Sequence, residues 1–190
     1  DFSIEQMLQQ MADVSMTEPE EVRRIIFEEK LQKRYESGHI STDEFYATYC
    51  EALGRQIDFD ALCRASCEIF TPNLTVLPVI SYLRTIRFPI GILSNTCDIH
   101  WEYCAARYGG ILSGFEVHAL SYELDAFKPE PAIYLSAAKL AGYAPEEILF
   151  IDDMEKNVAG AIEAGFDAVQ YVDTRSLVVD LGERGIRLPL

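Results

Sequence analysis

The stretch Glu147–Gly165, EILFIDDMEKNVAGAIEAG, decides the fold. Ile148, Leu149, Phe150 and Ile151 form the short apolar run that a buried parallel strand needs. Asp152 and Asp153 follow at once. An amphipathic helix comes next, with Val158, Ala161 and Ile162 expected on its buried face and Gly165 at the C′ position. In open α/β sheets, ligands sit beyond the carboxyl ends of the strands. Two adjacent acids at such a place repel each other unless a cation or a cap offsets the charge. Mg²⁺, held by one or two carboxylates, is the expected cation. A helix N-cap would account for one of the two acids and leave the other without a role.

The chain has 190 residues, 49% of them apolar and 25% charged, which fits one ordinary domain or a domain with a small insertion. A net charge of −15 argues against nucleic acid and against anionic membrane surfaces, both of which need clustered Lys and Arg. An anionic small substrate must then be held by a local positive site against the field of the whole molecule. The five cysteines (50, 63, 67, 97, 104) form no CxxC pair and no Cys/His metal spacing. Reduced thiols in a cytoplasmic protein are expected, with Cys63 and Cys67 as core filling.

Helix signals fill residues 1–70. Ser3 with Gln6 and Thr17 with Glu20 read as capping boxes, and Phe2 with Met7 as a hydrophobic staple. The Thr17 box predicts one long helix stopping at Gly38. Ser41 with Glu44 starts a third helix closed by Gly54, and a fourth begins at Asp58 or Asp60. From about Thr71 helices and strands alternate, the pattern of a parallel sheet. Strands are expected at 88–95, 115–119, 148–151 and 167–172, with helices at 78–86, 98–108, 130–141, 154–164 and 174–184. The fold class is α/β: a Rossmann-like parallel sheet core over residues 71–190, with a small helical bundle over residues 1–70.

Three places at the ends of core elements can carry chemistry. Ser94 follows one strand, Lys128 directly precedes a helix, and Asp152 with Asp153 follow another strand. A lysine before a helix N-terminus faces the positive end of the helix dipole, which becomes favourable when an anion lies between them. A solvated lysine before an X-Pro turn explains the position equally well, and Ser94 can simply cap the next helix. Together the residues outline a pocket suited to a phosphate and a magnesium ion.

The segments GILSNT (91–96), FKPEPAIY (127–134) and ILFIDDMEKNVAGA (148–161) resemble, in order, the second, third and fourth motifs of the haloacid dehalogenase (HAD) superfamily hydrolases. Residues 1–70 then resemble the helical cap of that family. YESGHIS and SNTCDIH are similar to a subgroup of small cytosolic sugar-phosphate phosphatases, the glucose-1-phosphate phosphatase type. The resemblance implies an Mg²⁺-dependent phosphatase acting on a small phosphorylated substrate. It implies that Ser94, with Asn95, binds the phosphoryl group and that Lys128 stabilises the charge on the nucleophile and the phosphoryl oxygens. It also implies that Asp153, with Asp152 beside it, holds the metal, and that Asn157 supports them. His100 matches a recurring histidine that contacts substrate, although a structural partner explains a histidine on a helix face as well. Arg24, Lys33, Arg34, Tyr35 and His39 are candidate cap contacts; a solvated helix face accounts equally for the charged ones.

One motif is missing from the 190 residues: the first, an apolar strand ending in the nucleophilic Asp. The Asp-x-Asp at 58–60 does not supply it, because a single Ile57 precedes it and helix follows; both acids read as helix caps. Asp1 abuts the first helix and does not supply it either. The expectation is a strand and turn of about 10–15 residues upstream of residue 1, since its absence would leave a gap in mid-sheet with two unpaired edges. The alternatives are a catalytically inactive phosphate- or metal-binding protein and a metal-independent haloacid dehalogenase, the latter disfavoured by the paired acids. A response-regulator receiver, which ILFIDDMEKN also resembles, is excluded because 37 residues after Asp153 are too few for its remaining strands.

Overall fold

Side-chain oxygens set the helix starts of the first 70 residues. In the computed structural model, which describes residues 2–189, Ser3 caps α1 (Ile4–Ser15) by accepting the Gln6 amide hydrogen. The Gln6 side chain donates to the Glu68 carbonyl instead of closing the box, and the Phe2 ring lies against Phe70. The expected capping box at Thr17 does not form: Glu18 is the N-cap of α2 (Pro19–Arg23), with Pro19 in the first turn. Nor is there one long helix to Gly38. A π-helical turn, Arg24–Glu28, carries the fully buried Ile25 and Ile26. Lys30 then turns left-handed at φ 60° before α3 (Leu31–Glu36), interrupting the helical ladder. The Ser41–Glu44 box forms in full at α4 (Thr42–Leu53). Asp58 caps α5 (Phe59–Cys67) through the Ala61 amide, as its spacing predicts.

The chain divides into two compact units. The helical unit comprises Asp1–Pro72, Asn95–Leu112 and Ser121–Asp125; the α/β unit comprises Asn73–Ser94, Ser113–Leu120 and Ala126–Leu190. The first boundary falls beside the change of pattern at residue 71, but two later segments group with the helices. Asp1, considered above as a nucleophile, lies outside the described residues. The core of the helical unit is formed by Leu8, Met11, Val22, Ile25, Ile26, Phe45 and Tyr49 among others. A side chain of this kind contributes about 1.5–3 kcal/mol when fully buried. The Tyr49 and Ser15 hydroxyls bond each other at 3.0 Å inside it, which satisfies both. All five cysteines are free, and burial pushes the Cys67 thiol up to about 12, which makes it inert.

The α/β unit runs from α6 (Leu77–Thr85) to β1 (Gly91–Ser94). The chain then passes through α7 (Asp98–Leu112) of the helical unit, kinked at Tyr108. After β2 (Val117–Leu120) comes a short helix, α8 (Ser121–Leu124), also grouped with the helical unit. It is followed by α9 (Pro131–Ala141), β3 (Leu149–Asp152), α10 (Glu155–Glu163), β4 (Asp167–Gln170) and α11 (Thr174–Glu183). β1 pairs parallel to β2 with Ser94 opposite Leu120, and β3 parallel to β4 with Asp152 opposite Gln170. Among the described residues the two pairs remain separate sheets. Ile151 on β3 is partly exposed, and so is most of β1. On α10, Val158 and Ala161 are buried as expected, but Ile162 is exposed and Asn157 and Gly160 are buried in its place. The buried stripe is therefore rotated toward the N-terminal side of the apolar pattern. Among the described residues no helix is long and apolar enough to cross a membrane.

Gly38 and Gly54 both hold positive φ, at 73° and 64°, so an alanine at either is strained by about 1–2 kcal/mol. A Cβ at Gly54 would meet nothing within 4 Å, whereas one at Gly38 would lie 2.2 Å from the Tyr122 carbonyl oxygen. Urea unfolding should therefore show Gly54→Ala losing no more than the strain, and Gly38→Ala clearly more. Equal losses would mean that the Gly38–Tyr122 approach is not a constraint.

Candidate active site

The carboxyl ends of β1 and β3 are joined through one side chain. Lys128 lies just before α9 and is buried. Its ammonium donates to the Leu93 carbonyl on β1 at 3.1 Å and to Asp152 Oδ2 at the end of β3 at 2.6 Å. It also lies 5.6 Å from the centre of the Phe150 ring, near enough for a cation–π contribution. Both side chains of the ion pair are nearly out of solvent, at 10% and 8% exposure. Charges so placed require close geometry and further hydrogen bonds, and Asp152 has them. Its Oδ1 accepts from Asn157 Nδ2 at 2.8 Å and from the Met154 amide at 2.9 Å. The anion expected beside Lys128 is thus Asp152.

Asp153, the next residue, is exposed, and its backbone carbonyl accepts from Gln170 Nε2 at 2.8 Å. Neither acid is the N-cap of α10; that position is Met154, which has no side-chain cap. The two carboxylates therefore have different surroundings. One is consumed by an ammonium, an amide side chain and a backbone N–H, and the other stands at the surface. Asn157 Oδ1 is buried without a hydrogen-bond partner among the described residues, an arrangement that costs free energy unless a donor or cation is supplied. An exposed carboxylate and an unpartnered amide oxygen within five residues of each other in the chain are both oxygen donors, the kind a hard divalent cation takes while keeping several waters. Among the described residues no cluster of three or more His, Cys, Asp or Glu could hold a metal by itself. Any cation here would need further oxygens from water or substrate.

Two features position this machinery without being visible in the motifs. Gly160 on α10 packs against the residue after Lys128: a Cβ there would lie 2.6 Å from the Pro129 carbonyl oxygen. The buried Tyr134 donates its hydroxyl to the Asn157 carbonyl at 2.7 Å, which fixes the first turn of α10 to α9. A third is found in the helical unit. The fully buried Ser121 accepts the Thr96 amide hydrogen at 2.9 Å, and its own hydroxyl points to the Glu36 and Thr96 carbonyls. It thereby anchors the turn two residues after Ser94. In sequence Ser121 belongs to an unremarkable polar stretch; only the fold gives it this role.

The other sequence candidates are placed as follows. Ser94 ends β1, one residue beyond the carbonyl that Lys128 grips, and is half-buried. Asn95, half-buried, begins the next segment of the helical unit. His100 is buried in the helical unit, its ring edge-on to Phe70 at 5.1 Å. Desolvation depresses it to about 4, outweighing its bond to the Ser66 backbone. Arg24 pairs with Glu21 and Glu29, His39 with Asp125 at 2.6 Å, and Lys33 and Arg34 are exposed. Tyr35 is buried and hydrogen-bonded to Asp98.

With this geometry in place, comparison with known proteins gives the following. The sequence profile of the haloacid dehalogenase-like hydrolases matches residues 8–165. Glyceraldehyde 3-phosphate phosphatase of Methanopyrus kandleri is 31% identical over 101 residues, covering 52% of this chain and 42% of that protein. D-ribitol-5-phosphate phosphatase of Bacteroides thetaiotaomicron is 29% identical over 142 residues, covering 71% and 68%. The chain thus spans under half the length of the first relative and about two thirds of the second. A HAD family enzyme of B. thetaiotaomicron, solved with magnesium and inorganic phosphate, superposes with a TM-score of 0.81 at 26% identity, over 93% of this chain and 92% of that one. The L-2-haloacid dehalogenase of Xanthobacter autotrophicus shares the fold, with a TM-score of 0.62 at 20% identity over 98% and 80%.

Two measurements separate the roles of these residues. Asp152→Ala strands a buried ammonium and should cost about 3–5 kcal/mol in urea unfolding. Asp153→Ala, at the surface, should change stability by less than about 0.5 kcal/mol. The reverse order would mean that the two acids have been exchanged. For His100, the unfolded chain takes up a proton near the ordinary 6.5, whereas the folded chain does so only near 4. Between these values the unfolded state binds more protons, so stability falls as pH falls. The stability advantage of wild type over His100→Gln should therefore shrink from pH 7 to pH 4, by up to about 1.4 kcal/mol per pH unit. Parallel profiles would show that His100 is not buried in its neutral form.

Proposed function

The chain belongs to the haloacid dehalogenase-like hydrolases, and on that premise we propose that it is a magnesium-dependent phosphatase of a small phosphorylated metabolite, a sugar or polyol phosphate. The observation that carries this reading is the division of labour between the two acids. Lys128, Asn157 and the Met154 amide occupy Asp152, while Asp153 stays exposed. A dehalogenase, which handles a monoanionic substrate without metal, has no use for a second, exposed carboxylate at that place. A phosphatase does.

In this reading Asp153, with Asp152 beside it, would hold the magnesium, and Asn157 would support them. Bound there, the metal would offset phosphoryl charge and hold the phosphate for in-line attack. Ser94 donates its hydroxyl to a phosphoryl oxygen, and Asn95 assists it. The Lys128 ammonium stabilises the anionic attacking and transferring groups. The nucleophile is an Asp on a strand upstream of residue 1, which enters between β1 and β3; the separation of the two strand pairs supports this. Its carboxylate attacks phosphorus, the ester P–O bond breaks, and the leaving alkoxide takes a proton. Water then cleaves the acyl phosphate and releases inorganic phosphate.

The curated relatives favour a hydroxyl-bearing alcohol. The two named above are called phosphatases of glyceraldehyde 3-phosphate and D-ribitol 5-phosphate. The test uses the chain extended upstream through its first strand. It should release phosphate from p-nitrophenyl phosphate with Mg²⁺. Activity should be abolished by EDTA and fall at least about 100-fold in Asp153→Ala and Lys128→Ala. Metal-independent turnover of 2-haloacids, or Mg²⁺ and phosphate binding with no turnover of any ester, would replace the reading with the dehalogenase or the inactive alternative.

A further inference from the structure

Asp153 is exposed, yet the backbone on both sides of it is held. In the peptide before it, the Asp152 carbonyl accepts the Tyr171 amide hydrogen at 2.9 Å, continuing the β3–β4 pairing by one step. The peptide after it is held at both edges. Its carbonyl, that of Asp153, accepts from Gln170 Nε2 at 2.8 Å, and its N–H, that of Met154, donates to Asp152 Oδ1 at 2.9 Å. A peptide unit is planar, so bonds on opposite edges fix its rotation. With both neighbouring planes fixed, the Cα–Cβ bond of Asp153 has a set direction, and the main chain aims a surface carboxylate. Of the three bonds, one is backbone only and one uses Asp152, which Lys128 also claims. The third depends on Gln170, the last residue of β4.

The segment after Gln170 is itself anchored. Asn73, Tyr171, Thr174 and Thr75 close a ring of hydrogen bonds between the loop before α6 and the start of α11, all within the α/β unit. Thr75 donates its single hydroxyl hydrogen to Asn73 Oδ1 at 2.7 Å. Thr174 must then donate to Thr75 at 2.6 Å, and Tyr171 to Thr174 at 3.0 Å, while Asn73 Nδ2 donates to Tyr171 at 3.0 Å. The donors all run the same way round, the order in which successive bonds polarise and strengthen one another. The Tyr171 side chain also packs against the apolar cluster of Val79, Leu177 and Leu181.

We propose that Gln170 is a positioning residue for the Asp153 carboxylate, held in place by the ring that follows it. It acts through the Asp153–Met154 peptide and not on metal or substrate. An acid on a fixed backbone has less freedom to lose when it takes a cation, which raises its affinity. The proposal deepens the phosphatase reading and rests on it for one point: that Asp153 holds the magnesium.

The tests use the upstream-extended chain, and the first needs no metal. Hydrogen exchange of the Met154 amide should be about fivefold faster in Gln170→Leu than in the wild type, the worth of one hydrogen bond. Gln170 is exposed, so its replacement leaves the fold intact. An unchanged rate overturns the positioning role whatever the activity of the protein. In the second test Mg²⁺ alone is titrated by calorimetry. Its affinity should fall about tenfold in Gln170→Leu, the lower end of the cost of losing a group that orients a metal ligand, and binding should be lost in Asp153→Ala. A loss in Asp153→Ala with none in Gln170→Leu overturns the inference and leaves the phosphatase reading standing. Unchanged binding in both removes Asp153 from the metal, and the inference falls with the reading beneath it. Tyr171→Phe, which opens the ring, should weaken Mg²⁺ binding about twofold in the wild type and no further in Gln170→Leu. Additive losses would overturn the part given to the ring.

Discussion

The bond between the Lys128 ammonium and the Asp152 carboxylate is the interaction on which the α/β unit depends. It spans two pairs of strands that share no backbone ladder among the described residues, since Lys128 grips β1 through the Leu93 carbonyl and β3 through Asp152. A pair this buried is not stabilising for free; it becomes tolerable because every exposed lone pair or proton finds a partner. The surrounding packing serves that end. Gly160 has no Cβ where the Pro129 carbonyl passes, and Tyr134 ties α9 to the start of α10, the helix that delivers Asn157 to Asp152. The position of one ammonium thus rests on a glycine, a tyrosine and an asparagine on two helices.

Adjacent residues at a strand end face different ways, and that small fact separates two identical side chains. Asp152, the last residue of β3, turns its carboxylate toward the buried lysine, while Asp153 begins the bend and meets solvent. Repulsion between the neighbours is relieved on one side only, by Lys128. The exposed acid keeps its charge available. The arrangement also explains why Asn157 sits in the first turn of α10: its amide nitrogen satisfies Asp152, while its oxygen is left without a partner among the described residues.

What could be read in advance follows from the range of the forces involved. Ser41 with Glu44 and the stop at Gly54 are decided within four residues and formed as their spacing predicts, and of the two starts offered at Asp58 and Asp60 the first formed. The strand ends at Ser94 and Asp152 were legible because an apolar run followed by a polar residue has few other meanings. One error was local, since Glu18 and not Thr17 precedes α2; the others came where a distant partner decided the outcome. Gln6 left its capping box for the Glu68 carbonyl, 62 residues away. Ile162 lost its place in the buried stripe because Gly160 and Asn157 had closer partners on α9 and β3. His100 has its ring edge-on to Phe70, a partner 30 residues away that no local pattern shows. Ser121 could not be foreseen, since its partners Thr96 and Glu36 come together only in the folded chain.

Charge balance at the strand ends sets a condition on any anionic ligand. The Lys128 ammonium is already neutralised by Asp152, so Asp153 leaves these three side chains with a net negative charge. The chain as a whole adds to that field with a formal charge of −15. A phosphate dianion brought to this place meets repulsion that the Ser94 hydroxyl cannot overcome, since a neutral hydrogen bond nets only about 1 kcal/mol. Two unit charges about 4 Å apart interact by roughly 4 kcal/mol near a protein surface. A divalent cation, held at Asp153 as proposed, would reverse the sign of the site, and phosphate and metal would then each strengthen the other's binding. Phosphate affinity should therefore be conditional on the metal, a property that follows from the pairing of Lys128 and not from the presence of two acids.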